Sequence, residues 1–185
     1  STTNNITYTV RGVTLFGCEG TDEVHIEVKK PFSISGLQPF DSICSGKSIT
    51  LNVAGAENYS WSPATGLDNI NTGFVIASPS ATSTYKVVGY DSKNCFKDSA
   101  SITVKVNPTP TVNAGSDLPL LVGSSVQLII QNSADVTSWL WTPATDLSCS
   151  ACANPIATPN ATTDYTITVT NNSNCSAADN ITIFV

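Results

Sequence analysis

The sequence predicts an all-β chain built as tandem β-sandwich repeats. The stretch Tyr59-Ser60-Trp61-Ser62-Pro63-Ala64-Thr65-Gly66-Leu67 returns 80 residues later as Trp139-Leu140-Trp141-Thr142-Pro143-Ala144-Thr145-Asp146-Leu147. Ala77-Ser78-Pro79-Ser80-Ala81-Thr82-Ser83-Thr84-Tyr85 returns at the same offset, as Ala157 to Tyr165. An echo at a fixed period marks a repeat array. Apolar residues also alternate with Thr, Ser and Asn at a period of two, the pattern of a half-buried strand. No run of ten residues shows helical periodicity, and turn signals recur every 8–12 residues, the spacing of a sandwich of short strands.

A third, partial copy opens the chain. Thr7-Tyr8-Thr9-Val10 followed by Cys18 matches Thr84-Tyr85-Lys86-Val87 followed by Cys95 at an offset of 77, and also Tyr165-Thr166-Ile167 followed by Cys175. The expected organisation is the C-terminal hairpin of an incomplete repeat over residues 1–30 and complete repeats over 31–106 and 107–185. Repeats of this size exceed the usual solenoid unit of about 20–50 residues, so each is expected to form a small domain. On this reading the chain is an excerpt from a longer array.

In order, Tyr8, Val10 and Gly12 share one face of the first expected strand, and Val24, Ile26 and Val28 one face of the second. An isolated hairpin is marginal in water, so a neighbouring repeat, another chain or part of a longer parent is expected to cover this pair. In the first full repeat Ile49, Leu51 and Val53 form one inward set, Tyr59 and Trp61 the next, and Pro63 ends that strand. Leu67 to Ile76 reads as an Asn- and Gly-rich loop with a short apolar run. Tyr85 and Val87, then Ile102, Val104 and Val106, form the last two inward sets. Asn107-Pro108-Thr109-Pro110 is a short, stiff junction, because each proline fixes its own φ and extends its predecessor. The second repeat follows with Val126 and Leu128, Trp139 and Trp141, Tyr165, Ile167 and Val169, and Ile181, Ile183 and Val185. A Trp on a middle strand and a Tyr opening the penultimate one fit an immunoglobulin-like arrangement.

Charge narrows the function classes. The net charge of −6 is spread as −1, 0 and −5 over the three segments, and residues 107–185 hold no Lys or Arg. Such a surface cannot neutralise phosphates, so nucleic acid is not an expected partner, and neither is an anionic membrane surface. No apolar run reaches the ~18 residues of a membrane-spanning helix. Six Cys and no Met in a chain with 12% charged residues point to an oxidising, extracellular setting.

Trp-Ser-Pro-Ala-Thr-Gly-Leu, then Pro-x-Ala-Thr-x-Thr-Tyr, then Asn-Cys before a Val/Ile-rich last strand resembles the immunoglobulin/PKD-like repeats of large Bacteroidota cell-surface proteins. These include SprB-like gliding-motility adhesins exported by the type IX secretion system. The resemblance spans essentially the whole chain. It implies tandem immunoglobulin-like sandwiches on the cell surface and a disulfide between Cys44 and Cys95, which would stabilise by about 4 kcal/mol on a chain-entropy account. Aligning Gly46 with Gly123 puts Leu121 where Cys44 stood, so Cys175 is expected to lack a partner. Cys18 is expected to lack one as well. The resemblance further implies O-glycosylation where Asp precedes Ser and a small or apolar residue, at Ser42 and Ser99.

Cys149-Ser150-Ala151-Cys152 is the one local motif with chemical potential. A redox pair would open a helix, and no helical pattern follows. A zinc site needs further ligands, and the only His, His25, lies in a different repeat. A local structural disulfide is the expected state. With one imidazole, placed on an alternating strand, the chain offers no Ser–His–Asp or Cys–His site. Its Asp residues stand in turns beside Asn and Gly, where they serve turn chemistry, and calcium is left only a repeat junction. Trp61, Trp141, Tyr85 and Tyr165 are expected in the core. An exposed row of Tyr59, Trp139, Tyr90 and Phe96 would instead suit sugar stacking.

The expected function is non-enzymatic: a stalk or filament segment of a large extracellular adhesin, related to gliding motility, that takes no cofactor. Its expected partners are neighbouring repeats of the same or an adjacent chain, with surface glycans a further class. The alternative is a carbohydrate-binding or spacer module accessory to a secreted polysaccharide hydrolase.

Overall fold

The structure is a computed structural model and describes residues 4–185; residues 1–3 of the expected 1–30 segment lie outside the described residues. The described residues form strands and no helix. The chain divides into two compact units. One takes residues up to Asp41 together with Ser48–Lys105, and the other takes Ser42–Lys47 together with Val106–Val185. Each is an all-β, immunoglobulin-like arrangement.

The first unit begins with a hairpin, β1 (Asn4–Val13) and β2 (Glu19–Val28), in a two-stranded sheet of its own. At its base Lys29 Nζ lies 3.1 Å from a Glu27 carboxylate oxygen and 3.5 Å from one of Glu57. The strands that follow are β3 (Phe40–Cys44), β4 (Ile49–Asn52), β5 (Asn58–Ser62), β6 (Phe74–Ala77), β7 (Ser83–Tyr90) and β8 (Lys97–Asn107), with the ends of β3 from Ser42 and of β8 from Val106 counted in the second unit. They form a four-stranded sheet in the order β3-β8-β7-β5 and a two-stranded sheet, β4-β6. Trp61 pairs with Val87, and Leu51 with Val75. Alternation then puts Leu51, Trp61, Val75, Tyr85, Val87, Ile102 and Val104 in the core. The apolar run Phe74-Val75-Ile76, expected inside a loop, is strand β6.

The second unit repeats the plan with shorter pieces: β9 (Val112–Asn113), β10 (Leu118–Pro119), β11 (Val126–Gln127), β12 (Gln131–Asn132), β13 (Val136–Thr142), β14 (Ile156–Ala157), β15 (Thr163–Asn171) and β16 (Ser176–Phe184). Its main sheet runs β10-β16-β15-β13, with β11-β14 and β12-β9 as two-stranded sheets. Leu128, Trp141, Ala157, Tyr165, Ile167 and Ile183 belong to one buried cluster.

The repeated motif is repeated in conformation. Gly66 has a φ of 78°, and Asp146, eighty residues on, has 60°. At Gly66 a Cβ would lie 2.9 Å from the Tyr85 hydroxyl and 3.1 Å from Pro79 Cα, so this left-handed corner is also a close approach, suited to glycine. The two tyrosines close over these corners. The Tyr85 hydroxyl donates to Thr65 O at 3.0 Å, and that of Tyr165 to Thr145 O at 3.2 Å. Burial raises both phenol pKa values, with Asp146 adding to the shift at Tyr165.

Candidate functional site

The cysteine-bearing turns hold most of the structure's chemistry. Cys44 is bonded to Cys175, with a Cα–Cα distance of 5.6 Å and a separation of 131 residues. Cys95 is free and exposed. The expected Cys44–Cys95 bond is therefore corrected, and so is the expectation that Cys175 lacks a partner. The reason is strand direction. Thr103 N–H donates to Pro39 O, and Ser45 N–H donates to Asn107 O, so β3 runs alongside β8 in the same sense and Cys44 reaches the level of its last residue. Cys95 stands just before the first residue of β8. From Lys97 to Asn107 is about 33 Å at ~3.3 Å per residue, far beyond the ~7 Å within which two Cα atoms can be bridged.

Asn171 organises the turn that carries Cys175, and both residues are buried. Asn171 Oδ1 accepts from Ser173 N–H and Cys175 N–H, each at 3.0 Å, while its Nδ2–H donates to Pro108 O and to Asp135 Oδ2. Asn174 supplies the left-handed residue, with a φ of 59°. The equivalent of Asn171 in the first unit is Asp91, also buried. Its Oδ1 accepts Phe96 N–H at 2.9 Å, and its Oδ2 has no partner among the described residues. The Phe96 N–H is the main reason that the Asp91 carboxyl is held below its usual range.

A group whose folded pKa is depressed adds stability at neutral pH and loses that contribution as pH falls through the folded value. Asp91→Asn, which copies the uncharged residue of the second unit, is expected to be less stable than the native chain at neutral pH. The gap should narrow by about pH 3, below the ordinary aspartate pKa of ~3.9. Urea unfolding at the two pH values measures the gap, and a gap that stays constant contradicts the assignment.

Cys149 and Cys152 are bonded to each other, and their loop serves Trp141. The Trp141 indole N–H donates to Cys152 O at 3.1 Å, and its backbone N–H to Ser150 O at 2.8 Å. Trp61 makes the same two bonds, to Thr72 O and Ile70 O. There the loop is closed by Asn71 N–H donating to Asn69 Oδ1. The disulfide thus occupies the place of an Asx turn. Sequence reasoning missed this link, although the Asn-x-x-Thr to Cys-x-x-Cys exchange at an offset of 80 signals it.

The remaining candidates are dispersed. Cys18 is free and exposed. His25 is exposed, with Nδ1 2.8 Å from Thr7 Oγ1. Ser42 and Ser99 are exposed, and Ser99 N–H donates to Asp98 Oδ1. Tyr90 and Phe96 are half-buried, the Tyr59 hydroxyl accepts Ala56 N–H, and Trp139 packs partly buried against the second core. Among the described residues no group of three His, Cys, Asp or Glu is placed to hold a metal ion, and no helix is long and apolar enough to cross a membrane.

No protein-family description matches the chain, and no curated protein matches it. Among solved structures it is similar to extracellular domains 3–5 of Drosophila OTK, at 13% identity and a TM-score of 0.47, over 97% of this chain and 70% of that one. It is also similar to a complex of Dpr2 Ig1–Ig2 with DIP-Theta Ig1–Ig3, at 15% identity and a TM-score of 0.42, over 97% and 72%. A third similarity is to the insect immune protein hemolin, at 9% identity and a TM-score of 0.43, over 97% and 56%. The immunoglobulin-like assignment rests on the strand order and cores described above.

Proposed function

We propose that this chain is a non-enzymatic, load-bearing segment of a large extracellular adhesin, a stalk or filament of the gliding-motility class that its repeat motifs resemble. We assign it as a hairpin over residues 1–30 followed by repeats over 31–106 and 107–185, exposed on the surface of a bacterial cell. The single observation that carries this reading is the Cys44–Cys175 bond. It joins residues of two successive sequence repeats, and persistent disulfides belong to oxidising compartments. Both cysteines belong to the second compact unit, so the bond fastens a stretch of the first sequence repeat into the unit built by the next, which suits a chain that holds a tip away from the cell under tension. The aromatic residues lend the carbohydrate-binding alternative less support, because Trp61, Trp141, Tyr85 and Tyr165 are buried in cores and Trp139 is partly buried against one.

The two readings separate on a glycan array. The stalk reading expects no saturable binding by the intact chain. Saturable binding that disappears on Tyr90→Ala or Trp139→Ala would transfer the assignment to the carbohydrate-binding module.

A further inference from the structure

The β1–β2 hairpin has one polar and one apolar face. Its register pairs Ile6 with Ile26 and Tyr8 with Val24, which puts Ile6, Tyr8, Val10, Val24, Ile26 and Val28 on one side. Thr7, Thr9, Arg11, Glu23, His25 and Glu27 lie on the other. All six apolar residues are between 40% and 62% exposed. Their counterparts are closed: Tyr85 and Tyr165 are 0% exposed, as are Val87 and Ile167.

The hairpin matches the second unit's last hairpin, β15–β16, bond for bond at its turn. Thr14 N–H donates to Cys18 O and Gly17 N–H to Thr14 O, as Asn171 N–H does to Cys175 O and Asn174 N–H to Asn171 O. Cys18 N–H donates to Thr14 Oγ1 at 3.1 Å, as Cys175 N–H does to Asn171 Oδ1 at 3.0 Å. Gly17 and Asn174 both take positive φ, 79° and 59°. Asp22, opposite Val10, corresponds to Asp179, opposite Ile167. Asp179 Oδ2 accepts the N–H of Ala114, a residue of the buried cluster that covers β15 and β16. Among the described residues, the Asp22 carboxylate accepts only the N–H of Glu23, its neighbour in sequence.

We propose that the apolar face of β1–β2 is a docking surface for the facing half of an immunoglobulin-like sandwich. The occupant is a polypeptide segment that brings a Leu-, Ile- and Trp-bearing set of strands like Leu128, Ile130 and Trp141, together with a strand N–H for Asp22. The second unit shows what such an occupant looks like, because those residues pack in one cluster with Tyr165, Ile167 and Ile181. Two sheets packed face to face interdigitate the side chains of their inner faces to form the core of a sandwich. The proposal rests on the hairpin and its counterparts and is independent of the stalk reading.

The test places residues 107–160 of this sequence directly before Asn4 of the full chain. Asn4 follows that segment as Ala161 does in the second unit, and covalent linkage supplies the effective concentration. Hydrogen exchange at hairpin amides, Tyr8 and Ile26 among them, is expected to slow at least 100-fold relative to the unextended chain, and hydrophobic-dye fluorescence is expected to fall. Ile26→Asp in the extended chain should reverse both, while exchange in β13 and β15 stays unchanged. An added segment that remains unfolded, or a hairpin that exchanges as fast as before, overturns the proposal. So does an unextended chain with twice the expected mass in solution that returns to one copy on Ile26→Asp, since that result gives the face to a second copy.

Discussion

Pulled between its two ends, the oxidised chain is expected to withhold about 47 nm of contour length that the reduced chain releases, at ~3.6 Å per residue over the closed loop. The bond between Cys44 and Cys175 spans 131 residues. Force entering at either end passes from residue 44 to residue 175 through sulfur. Strands β4 to β15 lie inside that loop, so load applied at the ends cannot lengthen them while the bond holds. Reductant, Cys44→Ser or Cys175→Ser should each restore the full extension. The same cross-link should stabilise the folded chain at equilibrium by about 5 kcal/mol, from the loop-closure entropy it removes from the unfolded state. Single-molecule extension traces with and without reductant measure the first effect, and urea unfolding of the Cys175→Ser variant the second. Equal contour lengths in both redox states would contradict the mechanical role, whatever the equilibrium result.

How legible this arrangement is in the sequence depends on the range of the interaction. Strands, inward residues and the paired Trp and Tyr positions follow from alternation and from an 80-residue echo, because burial on one sheet face imposes a period of two. The local Cys149–Cys152 bond is equally readable, since three residues of separation leave few alternatives. The Cys44–Cys175 bond is not readable in the same way. The resemblance pairs Cys44 with the turn cysteine of its own repeat, and the error disappears only once β3 is known to run in the same sense as β8. Strand direction is set by tertiary pairing, and no periodicity in Phe40–Cys44 records it. The role of the Cys149 loop was hidden for a related reason. An indole N–H reaching a carbonyl 11 residues later leaves no mark on the hydrophobic pattern.

That indole bond leads to the second large effect. Trp61 and Trp141 are the largest side chains of their cores and are almost fully buried. Each Trp→Ala substitution is expected to cost about 3–5 kcal/mol, the range for deleting a buried aromatic side chain, a large share of the ~5–15 kcal/mol by which typical domains are stable. The Trp→Phe variants keep most of the ring volume and remove the N–H, leaving Thr72 O or Cys152 O without its donor. Thr72 is exposed and Cys152 half-buried, so the expected loss is the net worth of one hydrogen bond, about 0.5–1.5 kcal/mol, and the two loops should respond differently. The first is closed by the Asn69 turn and other hydrogen bonds, with no covalent link, so Trp61→Phe should speed amide exchange across residues 69–72. The second is pinned by Cys149–Cys152, so Trp141→Phe should leave exchange across residues 149–152 near its native rate until reductant is added. Urea unfolding measures the energies and amide exchange the loops. A loss below about 1 kcal/mol in both Trp→Ala variants would remove the indoles from the core, and equal loosening of the two loops under oxidising conditions would remove the disulfide from its role as the substitute for the Asx turn.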